Sequence, residues 1–262
     1  MEKNYHKAYY HLERSHWWFK ARLEILESLL KKKIIKSNLS NLNILNAGIA
    51  TGATTTMLEK YGNVTSLEYD KDCCDFLKDV VKMDVVNGSL TELPFEDACF
   101  DLVCAFDVIE HIEDDKLAAK EIMRVLKDEG YFYLTVPAYN FLWSQHDEIN
   151  HHFRRYTLDN LYKVFEEEQI MPIFKTYFNF FLFPPILAAR ITSRLRDKLS
   201  GKQVQQSAGS DFKMFNENDA LNRLLFRLFK SENFFLKRNI PFPFGVSILI
   251  IGVKSSDRTT VM

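Results

Sequence analysis

Apolar positions return at helical spacing in ARLEILESLLKKK, residues 21–33, and the run ends on lysines that suit a helix C-terminus. Residues 1–33 therefore read as helical. Beyond a polar SNLSN break, short apolar runs alternate with amphipathic ones. NILNAG at 43–48 predicts a first strand and GATTTMLEKYG its helix, and VTSLEYD and KDCCDFLKDV predict a second pair. VVKMDVVNG at 80–88 predicts a third strand and CFDLVCAFDVIEHI at 99–112 a fourth. DDKLAAKEIMRVLKDEG supplies a helix and GYFYLTVPA at 130–138 a fifth strand. Strands alternating with helices imply βαβ units and a parallel sheet covered on both faces, an α/β fold.

The second half follows a different pattern. TLDNLYKVFEEEQ predicts a helix capped by Thr157, IMPIFKTYFNFF a sixth strand, and PFGVSILIIGVK a last strand buried on both faces. Between them, about 180–238 read as helical, aromatic and basic, interrupted by a disordered-looking SGKQVQQSAGSD.

Composition narrows the function classes. With 262 residues, 47% of them apolar, the chain can bury a sizeable core. Its 34 basic and 35 acidic residues balance, so nothing in the total charge calls for nucleic acid. Cys73, Cys74, Cys99 and Cys104 form no CxxC pair and read as buried thiols of a reducing compartment, and no metal site is expected. MEKNYHKAYYHLERSHWW has no apolar core of signal-peptide length, and FFLFPPILAA at 180–189 falls short of the roughly 20 residues that span a bilayer. A cytoplasmic protein is the expectation.

Candidate chemistry begins at LNAGIATG, residues 45–52. A tight turn between a first parallel strand and its helix needs small residues so that a ligand can approach the backbone. Gly48, Ala50 and Ala53 imitate the GxGxxG of a dinucleotide site, whereas Gly48, Ala50 and Gly52 imitate the GxGxG of an S-adenosylmethionine site. Glu68, 20 residues after Gly48, would end the second strand, where a carboxylate accepts both ribose hydroxyls in either class. The loop alone leaves both cofactors open.

ELPFEDACFDLVCAFDVIEHI resembles the LPF…FDLV…DVLEH signature of class I S-adenosylmethionine-dependent methyltransferases, and with the loop and Glu68 the match covers roughly residues 42–140. The resemblance implies a Rossmann-like, seven-stranded mixed sheet with an antiparallel last strand. It implies that Gly48, Ile49, Ala50 and Gly52 pass beneath the methionine part of the cofactor and that Glu68 holds the ribose. Tyr69, Ser89 and Leu90 would meet the adenine, and Ala105, Phe106 and Asp107 would flank the sulfonium and methionine tail. Asn46 stands where the family usually keeps an acid, Ala50 replaces a glycine, and Ser89 replaces an Asp. These departures keep a noncatalytic binding or assembly protein among the alternatives, beside an NAD-dependent dehydrogenase.

HWWFKAR at 16–22 and HDEINHHFRRYT at 146–157 resemble a bacterial subgroup of the same family with HWWFxxR and DExxHxRRYT segments. That likeness implies an N-terminal lid in which Trp18 shields the sulfonium and Arg22 meets the methionine carboxylate. His152 is the preferred general base for a hydroxyl acceptor, with His111 and His151 as further candidates. Asp147, Arg154, Arg155 and Tyr156 would hold substrate or brace the loop.

The resulting expectation is one methyltransferase domain: a lid over 1–40, a cofactor-binding core over 41–178, a helical cap over 179–238 and a last strand over 239–254. It would methylate, most simply at oxygen, a small-molecule, glycan or lipid-linked acceptor. The basic, apolar stretch 180–238 suits peripheral contact with an anionic membrane, a cap over the acceptor or a dimer interface.

Overall fold

In a computed structural model of the chain, residues 3–35, 41–166, 168, 170–200 and 220–255 are described. The strands are β1 (Leu42–Ala47), β2 (Gly62–Glu68), β3 (Val86–Asn87), β4 (Phe100–Phe106), β5 (Leu126–Pro137), β6 (Ile170–Phe178) and β7 (Ser247–Lys254). They form one seven-stranded sheet in the order β3-β2-β1-β4-β5-β7-β6. Strands β1 to β5 pair in parallel, and β7 runs antiparallel between β5 and β6.

Side-chain alternation divides the core between the two faces of this sheet. Leu45, Val103, Ala105, Leu134 and Ile250 point to one side, where Ala118, Ile122 and Met123 of α5 (Asp115–Val125) and Leu161 of α7 (Leu158–Val164) cover them. Ile44, Leu102, Cys104, Tyr133 and Ile251 point to the other, beneath Ile25, Leu26, Leu29 and Leu30 of α2 (Trp17–Lys33) and Phe229 of α9 (Ala220–Ser231). Each of these fully buried Leu or Ile side chains contributes about 1.5–3 kcal/mol of transfer free energy. Such runs leave little choice of register, because a one-residue slip would exchange the two faces.

Several expected boundaries move. The third strand shrinks to Val86–Asn87 because α4 (Lys71–Phe76) continues through a wide π-helical turn at Leu77–Val81, anchored by the buried Leu77 and closed by Lys82 at φ 63°. The fifth strand starts earlier, at Leu126, where α5 ends and the chain turns extended. The expected lid also divides. Only α1 (Lys3–Ser15) lies over the cofactor loop, while α2 is a core helix, begun at His16, whose ring accepts from the Trp18 amide.

In the expected cap, α8 (Phe183–Ser200) is largely exposed and α9 packs on α2. Nearly all of SGKQVQQSAGSD lies outside the described residues. The buried Glu232 after α9 accepts from the amides of Asn179 and Phe181, at 2.8 and 3.1 Å, and so ties the end of β6 to the cap.

Candidate active site

At the carboxyl edge of the sheet, the chain leaving β1 turns through three left-handed residues, Gly48 (φ 65°), Ala50 (φ 48°) and Gly52 (φ 84°). A Cβ on Gly48 would stand 2.5 Å from Val108 Cγ2, and one on Gly52 would stand 2.6 Å from Met83 Sδ and displace that side chain. Ala50 bears the left-handed strain, about 1–2 kcal/mol for an L-residue. Its amide donates to Glu68 Oε2 at 2.9 Å and its carbonyl accepts from Cys73 Sγ at 3.1 Å, which holds the turn. Glu68 Oε1 accepts from the Asp70 amide at 3.0 Å; burial raises the carboxyl pKa, and these amides oppose the rise.

Beneath the loop, Asn46 donates to Thr54 Oγ1 and Thr55 Oγ1, pinning the first turn of α3 (Ala53–Leu58), while its own Oδ1 is buried without a partner. Ile49 turns its side chain into a small core with Cys73, Cys74, Leu77 and Val85, so only its backbone serves the loop.

At the end of β4, Asp107 takes a left-handed backbone (φ 58°). Its Oδ2 accepts from Arg22 Nη2 at 2.7 Å and its Oδ1 from Thr135 Oγ1 at 2.9 Å; that hydroxyl accepts from Arg22 at 2.8 Å. Arg22 Nε is buried without an acceptor. Helix α1 closes over this corner: Glu13 accepts from the Thr51 hydroxyl, Arg14 donates to the Thr51 carbonyl, and the Tyr9 hydroxyl feels both Arg22 and Asp107.

These residues fit S-adenosylmethionine. The orphaned Arg22 Nε can meet a carboxylate, and Glu68 retains lone pairs for ribose hydroxyls. The expected adenine contacts are less developed. Tyr69 is 78% exposed, the Ser89 hydroxyl pairs with Thr91 Oγ1 at 2.7 Å, and Leu90 is buried. Ala105 and Phe106 are buried at the end of β4, Phe106 edge-on to Tyr133. Trp18 stacks on Phe229 of α9, a docking contact for the cap, while its ring centroid lies 5.6 Å from the Arg22 guanidinium carbon.

The loop after β5 carries a second cluster. Asp147, in α6 (Gln145–Ile149), is fully buried and accepts from His152 Nδ1 at 2.9 Å and from Arg155 at 2.7 and 3.0 Å. Burial would raise its carboxyl, but the His152 and Arg155 hydrogen bonds hold it well below the usual range. Tyr156 donates to Asp115 Oδ2, which Arg154 also engages at 2.7 Å. The polar groups of Asp147, Arg155 and Tyr156 are engaged in bracing the loop, the second of the two roles open to them. His151 is exposed, at φ 56°.

His111, just after β4, meets His152 ring to ring with centroids 4.4 Å apart. Desolvation, with the His152 ring beside it, lowers the His111 pKa to about 4. Next to it Glu110 is fully buried, and neither carboxylate oxygen has a partner. Glu110, Thr135, Tyr9 and Glu13 were missed in the sequence; only Glu110 left a signal there, as an acid inside the apolar run DVIEHI.

Residues 45–134 match the family model described as a methyltransferase domain. A Mycolicibacterium smegmatis protein named a probable S-adenosylmethionine-dependent methyltransferase is 27% identical over 128 residues, 48% of each chain. The malonyl-acyl-carrier-protein O-methyltransferase of Herminiimonas arsenicoxydans is 31% identical over 120 residues, 42% of this chain and 44% of that one. The chain spans under half the length of these relatives. Among solved structures, the Haloferax volcanii protein in complex with the Trm112 methyltransferase activator superposes with a TM-score of 0.58 at 14% identity. That likeness covers 98% of this chain and 95% of the other. These similarities favour the S-adenosylmethionine reading of the loop over the dinucleotide one: residues 45–134 resemble a methyltransferase domain, and the seven-stranded sheet has the Rossmann-like class I fold.

Proposed function

We propose that the chain moves a methyl group from S-adenosylmethionine to an acceptor oxygen held at the corner formed by His111, His152 and the end of β4. The cofactor supplies an electrophilic methyl on a sulfonium. The protein must align the acceptor in line with that methyl and exclude water. Closure of α1 over Thr51 and the Arg22–Asp107–Thr135 triangle supports both tasks.

The observation that carries the reading is the His152–Asp147 pair. With Nδ1 donating to a buried, ionised carboxylate, the lone pair of His152 falls on Nε2, where it can take a proton from a hydroxyl. Arg155 fixes Asp147 from behind, so the imidazole is oriented before any acceptor arrives.

A lipid-linked or glycan acceptor is favoured by exposed apolar and basic residues on each of the two helices, Ile191 and Leu195 with Arg194 and Arg196 on α8, and Leu221, Leu224 and Leu228 with Arg223 and Arg227 on α9. No described helix is long and apolar enough to cross a membrane, so contact there would be peripheral. Labelled S-adenosylmethionine incubated with lipid-linked and soluble glycan fractions tests the reading: transfer to a hydroxyl-bearing fraction supports it, and unchanged turnover in His152→Gln removes the base. Co-sedimentation with anionic vesicles at low salt tests the surface, and the absence of binding contradicts it.

A further inference from the structure

We infer that Glu110, His111 and His152 form a binding site for a single divalent transition-metal ion of the zinc class. Each offers one ligand atom, and the three atoms lie within 4.8 Å of one another. Two imidazoles and one carboxylate are a donor set that such ions take, with further positions left for solvent or an acceptor oxygen. Closing on an ion requires these atoms to approach to about 3.3 Å, the edge of a tetrahedron with bonds of about 2.0 Å.

The buried carboxylate points independently to a ligand. Glu110 is fully buried, and neither oxygen receives a hydrogen bond. A carboxylate hidden in this way costs several kcal/mol unless it is paired or neutralised. Arg22 and Arg155 are close enough for their charges to be felt, yet neither donates to it, and the charge of Asp107 adds to the cost. An ion on the His111–His152 side would resolve this imbalance.

The imidazoles are prepared for the role. Asp147 accepts from His152 Nδ1, which leaves Nε2 to ligate, and Arg155 holds Asp147, the outer support that metal-bound histidines commonly have. The catalytic consequence rests on the hydroxyl-acceptor reading above: an acceptor oxygen bound to the ion is acidified directly, and His152 then serves as ligand in place of base.

The test uses the tag-free full chain, stripped with chelator and titrated with zinc by calorimetry and with cobalt by visible absorbance. One ion per chain is expected, weakened about tenfold or more in Glu110→Gln and His152→Gln and about 10–100-fold in Asp147→Asn. His111→Gln, at an exposed position, serves if Glu110→Gln unfolds. Binding unchanged in these variants, or a cobalt spectrum with thiolate charge transfer, overturns the site. S-adenosylmethionine binding measured on the same samples keeps the two readings apart: loss of cofactor binding with metal binding intact sinks the methyltransferase reading and leaves this one.

Discussion

Arg22 in α2 donates to the Asp107 carboxylate at 2.7 Å across 85 residues of chain, and both share the Thr135 hydroxyl. The contact joins the helix on one face of the sheet to the carboxyl end of its central strand, where the cofactor's methionine end is expected. Arg22→Lys keeps the charge but cannot span Asp107 and Thr135 while aiming Nε elsewhere. It should weaken S-adenosylmethionine binding about tenfold, the equivalent of about 1.4 kcal/mol. Calorimetry checks this, and an unchanged dissociation constant would separate Arg22 from the cofactor.

Ala50→Gly should remove about 1–2 kcal/mol of left-handed strain, partly offset by roughly 0.5–1 kcal/mol of added backbone entropy loss. The expected net is a gain of up to about 1.5 kcal/mol in urea unfolding, with cofactor affinity kept or improved. Gly48→Ala places its Cβ 2.5 Å from Val108 and should do the reverse on both counts.

The loop was legible in the sequence because its chemistry is local: small residues after an apolar strand allow few backbone paths. The strands NILNAG, FDLVCAF and SILIIGV were legible for a similar reason, since both faces of each are buried and the apolar run is continuous. The third strand was not, because two paired residues carry no periodicity and a widened helical turn can absorb VVK as readily as a strand can. The roles of Trp18 and Asp147 depended on partners distant in sequence or chosen among several nearby, Phe229 for one and Arg155 with His152 for the other. Composition shows that ionisable groups are crowded in HDEINHHFRRY; it does not show which carboxylate each arginine takes.

Glu232 should give the fold a recognisable pH dependence. Burial raises its carboxyl from 4.5 to about 7 against the pull of the Phe181, Asn179 and Phe180 amides. A folded pKa above the unfolded one means the native state binds the proton more tightly, so stability from this group is present below about pH 4.5 and lost as pH rises through about 7. Unfolding free energy should fall by on the order of 1–3 kcal/mol over that window. Denaturant titrations of wild type and Glu232→Gln check it, and the variant should lose this part of the slope.

With His152 as the proton acceptor, His152→Gln should lower kcat by about 10²–10⁴-fold, with little change in cofactor affinity. Asp147→Asn should lower kcat as well, because it releases the imidazole and leaves Arg155 buried without its anion. Single-turnover transfer rates and melting temperatures, read together, separate chemical loss from unfolding.

The central claim is that the loop at Gly48–Gly52 and Glu68 hold S-adenosylmethionine, and calorimetric titration of wild type and Glu68→Ala tests it most directly. The account predicts one site per chain for S-adenosylmethionine in the wild type, no comparable heat with NAD, and affinity at least about tenfold lower in Glu68→Ala. A wild-type chain that ignores S-adenosylmethionine, or a Glu68→Ala chain that binds it equally well, would contradict the account.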